Sequence, residues 1–97
     1  MNLIEFKASI AEGQIPEDLT VYLRSLWLDQ YGDWEKAHSL IDQMEDEDAA
    51  FLHAYLHRKE GDLGNAAYWY RRAGKVQPNI GLEEEWEKMV LYFLQKE

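Results

Sequence analysis

Two histidines one helical turn apart are the residues best suited to chemistry in this 97-residue chain. His53 and His57 are four residues apart, and positions i and i+4 of a helix project from the same side. Two imidazoles in this arrangement can chelate zinc or nickel, but a complete site needs a third and usually a fourth ligand. His38 or Asp42, on the preceding predicted helix, could complete the set. Because Ala54 rather than a glutamate follows His53, the zinc-protease motif is absent.

A packing role is the alternative interpretation of His53 and His57. The internal repeat described below predicts that both rings point inward. A buried imidazole fills space and needs a hydrogen-bond partner. Burial of both rings would therefore favour packing and rule out a metal site.

A set of basic residues within an acidic chain is the second candidate site. The chain has ten Lys and Arg against nineteen Asp and Glu, so its formal net charge is −9. Five of the cations lie close together in the sequence: Arg58, Lys59, Arg71, Arg72 and Lys75. Arginine can bind a carboxylate or a phosphate with paired hydrogen bonds. Alternatively, these cations form surface ion pairs with the acids at 45–48 or 83–87, each of which is worth little.

Three consecutive aromatic residues, Tyr68, Trp69 and Tyr70, precede two of these cations. Consecutive residues of a helix are about 100° apart, so the three rings cannot all face inward. An exposed ring beside Arg71 and Arg72 would suit a binding surface or an oligomer contact. Packing against the last helix explains the triplet about as well.

Composition excludes several classes of function. The negative charge disfavours nonspecific binding to nucleic acid and to anionic membranes. There is no cysteine, and hence no disulfide or thiol chemistry. No apolar run reaches the roughly 18 residues of a membrane span, and the first residues lack the pattern of a signal peptide. We therefore expect a cytoplasmic protein of a single domain.

Hydrophobic residues recur with the helical period along the whole chain, and no long stretch alternates with period two. The acidic run 45–48 suits a helix N-terminus and lacks the glycine and ligand spacing of a calcium loop. The sequence predicts an all-α fold of about six helices. Their expected ranges are 2–12, a helix starting at Ile15–Asp18 and broken at Gly32, 34–44, 48–59, 63–73 and a last helix after Gly81.

A shift of 29 residues superimposes one part of the chain on another. Gly32-Asp33 aligns with Gly61-Asp62, Ala37 with Ala66, and Ile41 with Tyr70. The register holds without a gap across two helices and a turn, which is typical of helical-hairpin repeats.

The second of these repeats resembles the tetratricopeptide repeat and its Sel1-like relatives. The matching positions are Ala54, Gly61, Asp62, Ala66, Tyr70, Ala73 and Pro78. The first repeat departs from the pattern, because Met44 stands at the later small position and the proline is missing. The segment 53–78 is also similar to a group of short uncharacterised bacterial proteins, a likeness that implies no chemistry.

The resemblance implies a right-handed, tetratricopeptide-like solenoid fragment in one domain. Its expected parts are an N-terminal helix (1–15), repeat 1 (16–45), repeat 2 (46–78) and a capping helix (79–97). In related repeats, cations on the first helix clamp the carboxylate of a bound peptide. Carried onto this chain, the groove-facing positions are Asp48, Phe51, Tyr55, Arg58 and Lys59.

We therefore expect a noncatalytic protein-interaction module that binds a peptide or protein through the repeat face, with no cofactor. The candidate binding residues are Phe51, Tyr55, Arg58, Lys59, Arg71 and Arg72. A structural homo-oligomer, such as a homodimer covering the solenoid ends, is one alternative. A protein that binds a metal or small anion through His53, His57 and nearby cations is the other.

Overall fold

A computed structural model describes residues 1–96, and all the secondary structure in that range is helical. The helices are α1 (Leu3–Glu12), α2 (Val21–Tyr31), α3 (Trp34–Ile41), α4 (Glu47–Lys59), α5 (Leu63–Arg72) and α6 (Leu82–Gln95). The prediction of an all-α chain with six helices is confirmed. None of these helices has the length and apolar character needed to cross a membrane.

The two Gly-Asp turns have the same local structure. Gly32 and Gly61 adopt φ values of 112° and 89°, a left-handed conformation that glycine enters without steric penalty. Asp33 and Asp62 then cap α3 and α5, each accepting a hydrogen bond from the backbone N–H three residues later (3.1 and 3.2 Å). The 29-residue register thus corresponds to a repeated turn, with α2 packed on α3 and α4 packed on α5.

Two predicted helix boundaries are wrong. The Ile15–Asp18 segment does not start α2, which begins at Val21 because the Thr20 hydroxyl accepts a hydrogen bond from the Leu23 N–H at 3.3 Å. α3 was expected to reach Met44 but ends at Ile41. The chain turns there before Asp46 caps α4. The early end of α3 leaves Asp42 at its C-terminus, beside α4.

The main hydrophobic core lies between α1, α2, α3, α4 and α6. Trp86 is fully buried in it and donates an indole hydrogen bond to the Leu26 carbonyl at 3.0 Å. A smaller cluster of Ala54, Ala66 and Tyr70 joins α4 to α5. The side of α4 that faces α3 and α5 carries both histidines of the sequence pair, so the packing of these two helices determines their surroundings.

Candidate metal centre

Three imidazoles converge between α3 and α4. His38 comes from α3, and His53 and His57 come from α4. One ligand nitrogen from each ring lies within 4.8 Å of the other two. The Nε2 atoms of His38 and His53 are 2.9 Å apart, close enough to share a proton. His38 is therefore the residue that completes a three-histidine cluster with His53 and His57.

Two tryptophans fix the orientation of these rings. The Trp34 indole stacks on His38 with a centroid distance of 5.0 Å and an interplanar angle of 8°. Its N–H donates to the Leu56 carbonyl at 2.9 Å, which ties α3 to α4. On the other side, Trp69 of α5 stacks on His53 at 4.0 Å and 16°. The cluster is thus held between two indole planes, one from each hairpin.

Burial of the cluster is graded. The side chains of His53, His57 and His38 are 3%, 10% and 23% exposed. Removal from water lowers the pKa of His53 to about 4, reinforced by His38 and His57 and opposed by Asp42. His53 is therefore neutral at pH 7, which is the form that binds metal. The least buried member, His38, lies on the solvent side.

The burial matches the packing interpretation, but the hydrogen bonding fits it poorly. Among residues 1–96, the Nδ1 atom of His53 has no hydrogen-bond partner. Its Nε2 atom has only another imidazole, that of His38. A ring retained for packing alone would be expected to bond to a backbone or hydroxyl group. The sequence-based criterion that burial would rule out metal binding did not anticipate two buried rings meeting a third, half-buried ring from α3.

Carboxylates lie on two sides of the cluster. The Oδ1 atom of Asp42 is 3.7 Å from Nε2 of His38 and also 3.7 Å from Nε2 of His53. The Oε1 atom of Glu60 is 2.6 Å from Nδ1 of His57. A carboxylate bonded to the far nitrogen of a histidine is the usual outer partner of a metal-bound imidazole, because it fixes the tautomer and raises basicity.

Glu60, Trp34 and Trp69 were not singled out as parts of the site from the sequence. The three-residue spacing of His57 and Glu60 and the four-residue spacing of Trp34 and His38 were available signals, because both spacings place side chains together on a helix. Trp69 offered no such signal, since its contact with His53 depends on the packing of α5 on α4.

A second possible set of metal ligands consists of His57, Glu60 and Asp62. One ligand atom from each of these residues also lies within 4.8 Å of the other two. Asp62 already accepts two hydrogen bonds, both from Asn65: its Oδ1 accepts from the backbone N–H and its Oδ2 accepts from the side-chain amide at 3.3 Å. The acid is therefore occupied by the helix cap. The three-histidine group is the better candidate.

Three of the predicted binding residues have intramolecular partners. Tyr55 is 1% exposed and donates to Asp29 at 2.9 Å. Lys59 forms an ion pair with the same carboxylate at 3.0 Å. Arg58 pairs at 2.7 Å with Glu85, whose side chain is 2% exposed. These contacts hold α4 against α2 and α6. The Arg58–Glu85 pair matches the predicted alternative of pairing with the acids at 83–87, whereas Lys59 pairs with Asp29, outside both acidic groups considered from the sequence.

The other three candidate binding residues, Phe51, Arg71 and Arg72, are not part of these contacts. Phe51 is half-buried and Arg71 is exposed, and both line an open groove of about 620 Å³. Arg72 is exposed, with its guanidinium 5.1 Å from the centre of the Trp69 ring. Tyr68 is 47% exposed. The groove is lined by Phe51, Arg71, Gly74, Lys75, Val76 and Pro78.

Comparison of the chain with models of known protein families, with curated proteins and with solved structures finds no match.

Proposed function

We propose that this chain binds a divalent transition-metal ion through His38, His53 and His57. The observation that carries the proposal is the convergence of three imidazole nitrogens within 4.8 Å. Imidazole is a common ligand of zinc, copper, nickel and iron, whereas magnesium and calcium prefer oxygen. A metal held here would join α3 of the first hairpin to α4 of the second.

Competition between the protein and a chromophoric chelator for Zn²⁺ tests the proposal. We expect His38→Gln and His57→Gln to weaken zinc binding at least 100-fold, because each removes a ligand. Glu60→Gln is expected to weaken it by about 10–100-fold, the usual effect of losing an outer-shell partner.

Asp62→Asn is the matched control for these variants. Asparagine caps a helix as well as aspartate does, so the fold should survive. Because Asp62 is not a ligand in this proposal, the zinc affinity should be unchanged. Absence of zinc binding by the wild-type protein, or wild-type affinity in His38→Gln, would exclude the proposed function.

A second candidate function is the binding of an acidic peptide segment in the groove beside Phe51. Phe51, Val76 and Pro78 supply apolar contacts, and Val76 is 85% exposed. Arg71 and Lys75 add positive charge at this place on an otherwise acidic chain. Such a groove fits a segment that combines an apolar side chain with carboxylates. In this proposal the two hairpins act as tetratricopeptide-like units, and the occupant could be another protein or a second copy of the chain.

A charge reversal at the groove tests this candidate. We expect Arg71→Glu combined with Lys75→Glu to weaken binding of an acidic, leucine-containing peptide at least tenfold in fluorescence anisotropy. Lys36→Glu, on the distant α3, is the control and should leave binding unchanged. Equal affinity in all three proteins would exclude the groove, and a peptide-independent dimer in light scattering would favour self-association.

A further inference from the structure

We infer that Asp42 is the fourth ligand of the metal, so that the three histidines and this carboxylate form a closed tetrahedral centre. The inference rests on the proposed metal-binding function and deepens it. It specifies the coordination, the class of metal and the route by which the ion enters. A closed centre of this kind holds an ion without offering it to a substrate.

The distances from Asp42 to two of the three histidines suit a ligand. In a tetrahedral site with bonds of about 2.0–2.2 Å, neighbouring ligand atoms lie roughly 3.3–3.6 Å apart. The Oδ1 atom of Asp42 is 3.7 Å from the Nε2 atoms of both His38 and His53. The two Nε2 atoms are 2.9 Å apart. Adjustments of a few tenths of an ångström would therefore bring these three atoms to tetrahedral spacing.

A carboxylate that acted on a metal-bound water would lie farther out. It would be one hydrogen bond beyond the water, or about 4 Å or more from the metal. Asp42 lies at ligand spacing from two of the histidine nitrogens instead. Asp42 directly follows α3, one turn after His38. Its carboxylate and the His38 imidazole therefore lie on the same side of the helix.

The two oxygens of Asp42 have different surroundings. Oδ1 faces the histidines, while Oδ2 accepts a hydrogen bond from the Gln43 amide at 3.3 Å. The side chain is 45% exposed, against 3% for His53. Asp42 is therefore the most exposed of the four proposed ligands, and we infer that the ion enters on its side of the cluster.

The charges of the ligand set match a divalent ion. Three neutral imidazoles contribute no charge, Asp42 contributes −1, and Glu60 adds −1 through its bond to His57. A divalent cation would make the assembly neutral, which reduces the penalty of holding charge in a mostly buried place. Three nitrogens and one oxygen in tetrahedral array suit Zn²⁺ and Co²⁺, and the chain has no cysteine that would favour Cu(I).

Titration with Co²⁺, followed by visible absorption, tests the inference, because four-coordinate cobalt absorbs much more strongly than five- or six-coordinate cobalt. We expect wild-type protein to show an intense spectrum that does not change when azide is added. Asp42→Ala should bind Co²⁺ at least tenfold more weakly, and azide should alter its spectrum by occupying the vacated position. Glu45→Ala removes a nearby exposed carboxylate and should behave like wild type.

The two proposals fail in different ways. Intense, azide-insensitive binding with equal affinity in wild type and Asp42→Ala would overturn the assignment of Asp42 while leaving a histidine metal site. Absence of Co²⁺ and Zn²⁺ binding by wild type would overturn both. Far-UV circular dichroism of each variant separates loss of the ligand from loss of the fold.

Discussion

At the scale of single residues, Glu85 shows how a buried charge is accommodated in this small protein. Its side chain is 2% exposed, and its two oxygens accept hydrogen bonds from Arg58 at 2.7 Å and from Tyr70 at 2.6 Å. Burial and the bond to Glu85 raise the pKa of Tyr70, so its hydroxyl remains a donor. The network joins α4, α5 and α6 at one point.

Removal of the Tyr70 hydroxyl should destabilise the protein. In Tyr70→Phe the Glu85 carboxylate loses one of its two partners, at a cost of about 1–3 kcal/mol in the free energy of unfolding. Tyr92→Phe is the control, because that hydroxyl bonds to Asp48 at an exposed site and should contribute less than about 0.5 kcal/mol. Urea denaturation measures both, and equal losses would contradict the role of the buried network.

The metal-free protein should lose stability in mild acid because of His53. The groups facing this ring are His38 from α3, Asp42 directly after α3, His57 from α4 and the uncharged Trp69 from α5. The pKa of His53 is about 4 in the folded state, against an ordinary value of 6.5 for histidine. Below pH 6.5 the unfolded chain binds a proton that the folded chain does not, so the free energy of unfolding falls as the pH falls.

The size of this effect follows from the two pKa values. Between pH 7 and pH 5 we expect His53 to remove about 2 kcal/mol, with the loss levelling off only below about pH 4. Chemical denaturation in the presence of a chelator, repeated across this range, measures the slope. His53→Gln should show a shallower slope than wild type, and identical slopes would mean that His53 titrates normally in the folded protein.

At the scale of secondary-structure elements, the turn between α4 and α5 offers a matched pair of glycines. Gly61 has a φ of 89°, whereas Gly64 lies within α5 and has no positive φ. A Cβ atom would meet nothing within 4 Å at either position. We therefore expect Gly61→Ala to destabilise the protein by about 1–2 kcal/mol through backbone strain.

Gly64→Ala should have the opposite effect on stability. Alanine fits the helical backbone there and restricts the unfolded chain, which should raise the free energy of unfolding by about 0.4–1 kcal/mol. Thermal denaturation of both variants checks the pair. Stabilisation by Gly61→Ala would show that the repeated Gly-Asp turn does not need its left-handed residue.

The elements were more predictable than their assembly. The helical period and the Gly-Asp turns predicted six helices, because both are local properties of the chain. The period also showed that His53 and His57 share a side of α4, but the approach of His38 depends on how α3 packs on α4. That packing includes the Trp34 bond to the Leu56 carbonyl, a contact across 22 residues.

The same limit explains why the sequence did not show that Tyr55 and Arg58 are covered by other helices. Tyr55 and Arg58 fall on a helix face that periodicity can identify, but periodicity does not show whether another helix covers it. In the structure α2 and α6 supply the buried partners Asp29 and Glu85. Asp42 was a possible ligand from sequence, and its place beside the histidines follows from the end of α3 at Ile41.

At the scale of the whole molecule, the candidate metal centre lies between its two hairpins. His38 and Asp42 belong to the first hairpin, and His53 and His57 belong to the second. An ion bound only by the folded state stabilises that state by mass action, by about 2.7 kcal/mol when its free concentration is 100 times Kd. For a chain of about 100 residues, this corresponds to a rise of roughly 10–20 °C in Tm.

Differential scanning calorimetry with and without Zn²⁺ measures this effect. We expect wild-type protein and Glu35→Gln, a change at an exposed acid on α3, to show the full rise in Tm. His38→Gln should show almost no rise in Tm, because it removes the imidazole by which the first hairpin binds the metal alongside His53 and His57. Mg²⁺ should leave the Tm of all three proteins unchanged, since imidazoles are poor ligands for it. An equal rise in wild type and His38→Gln would place zinc elsewhere on this acidic surface and separate it from the junction of the hairpins.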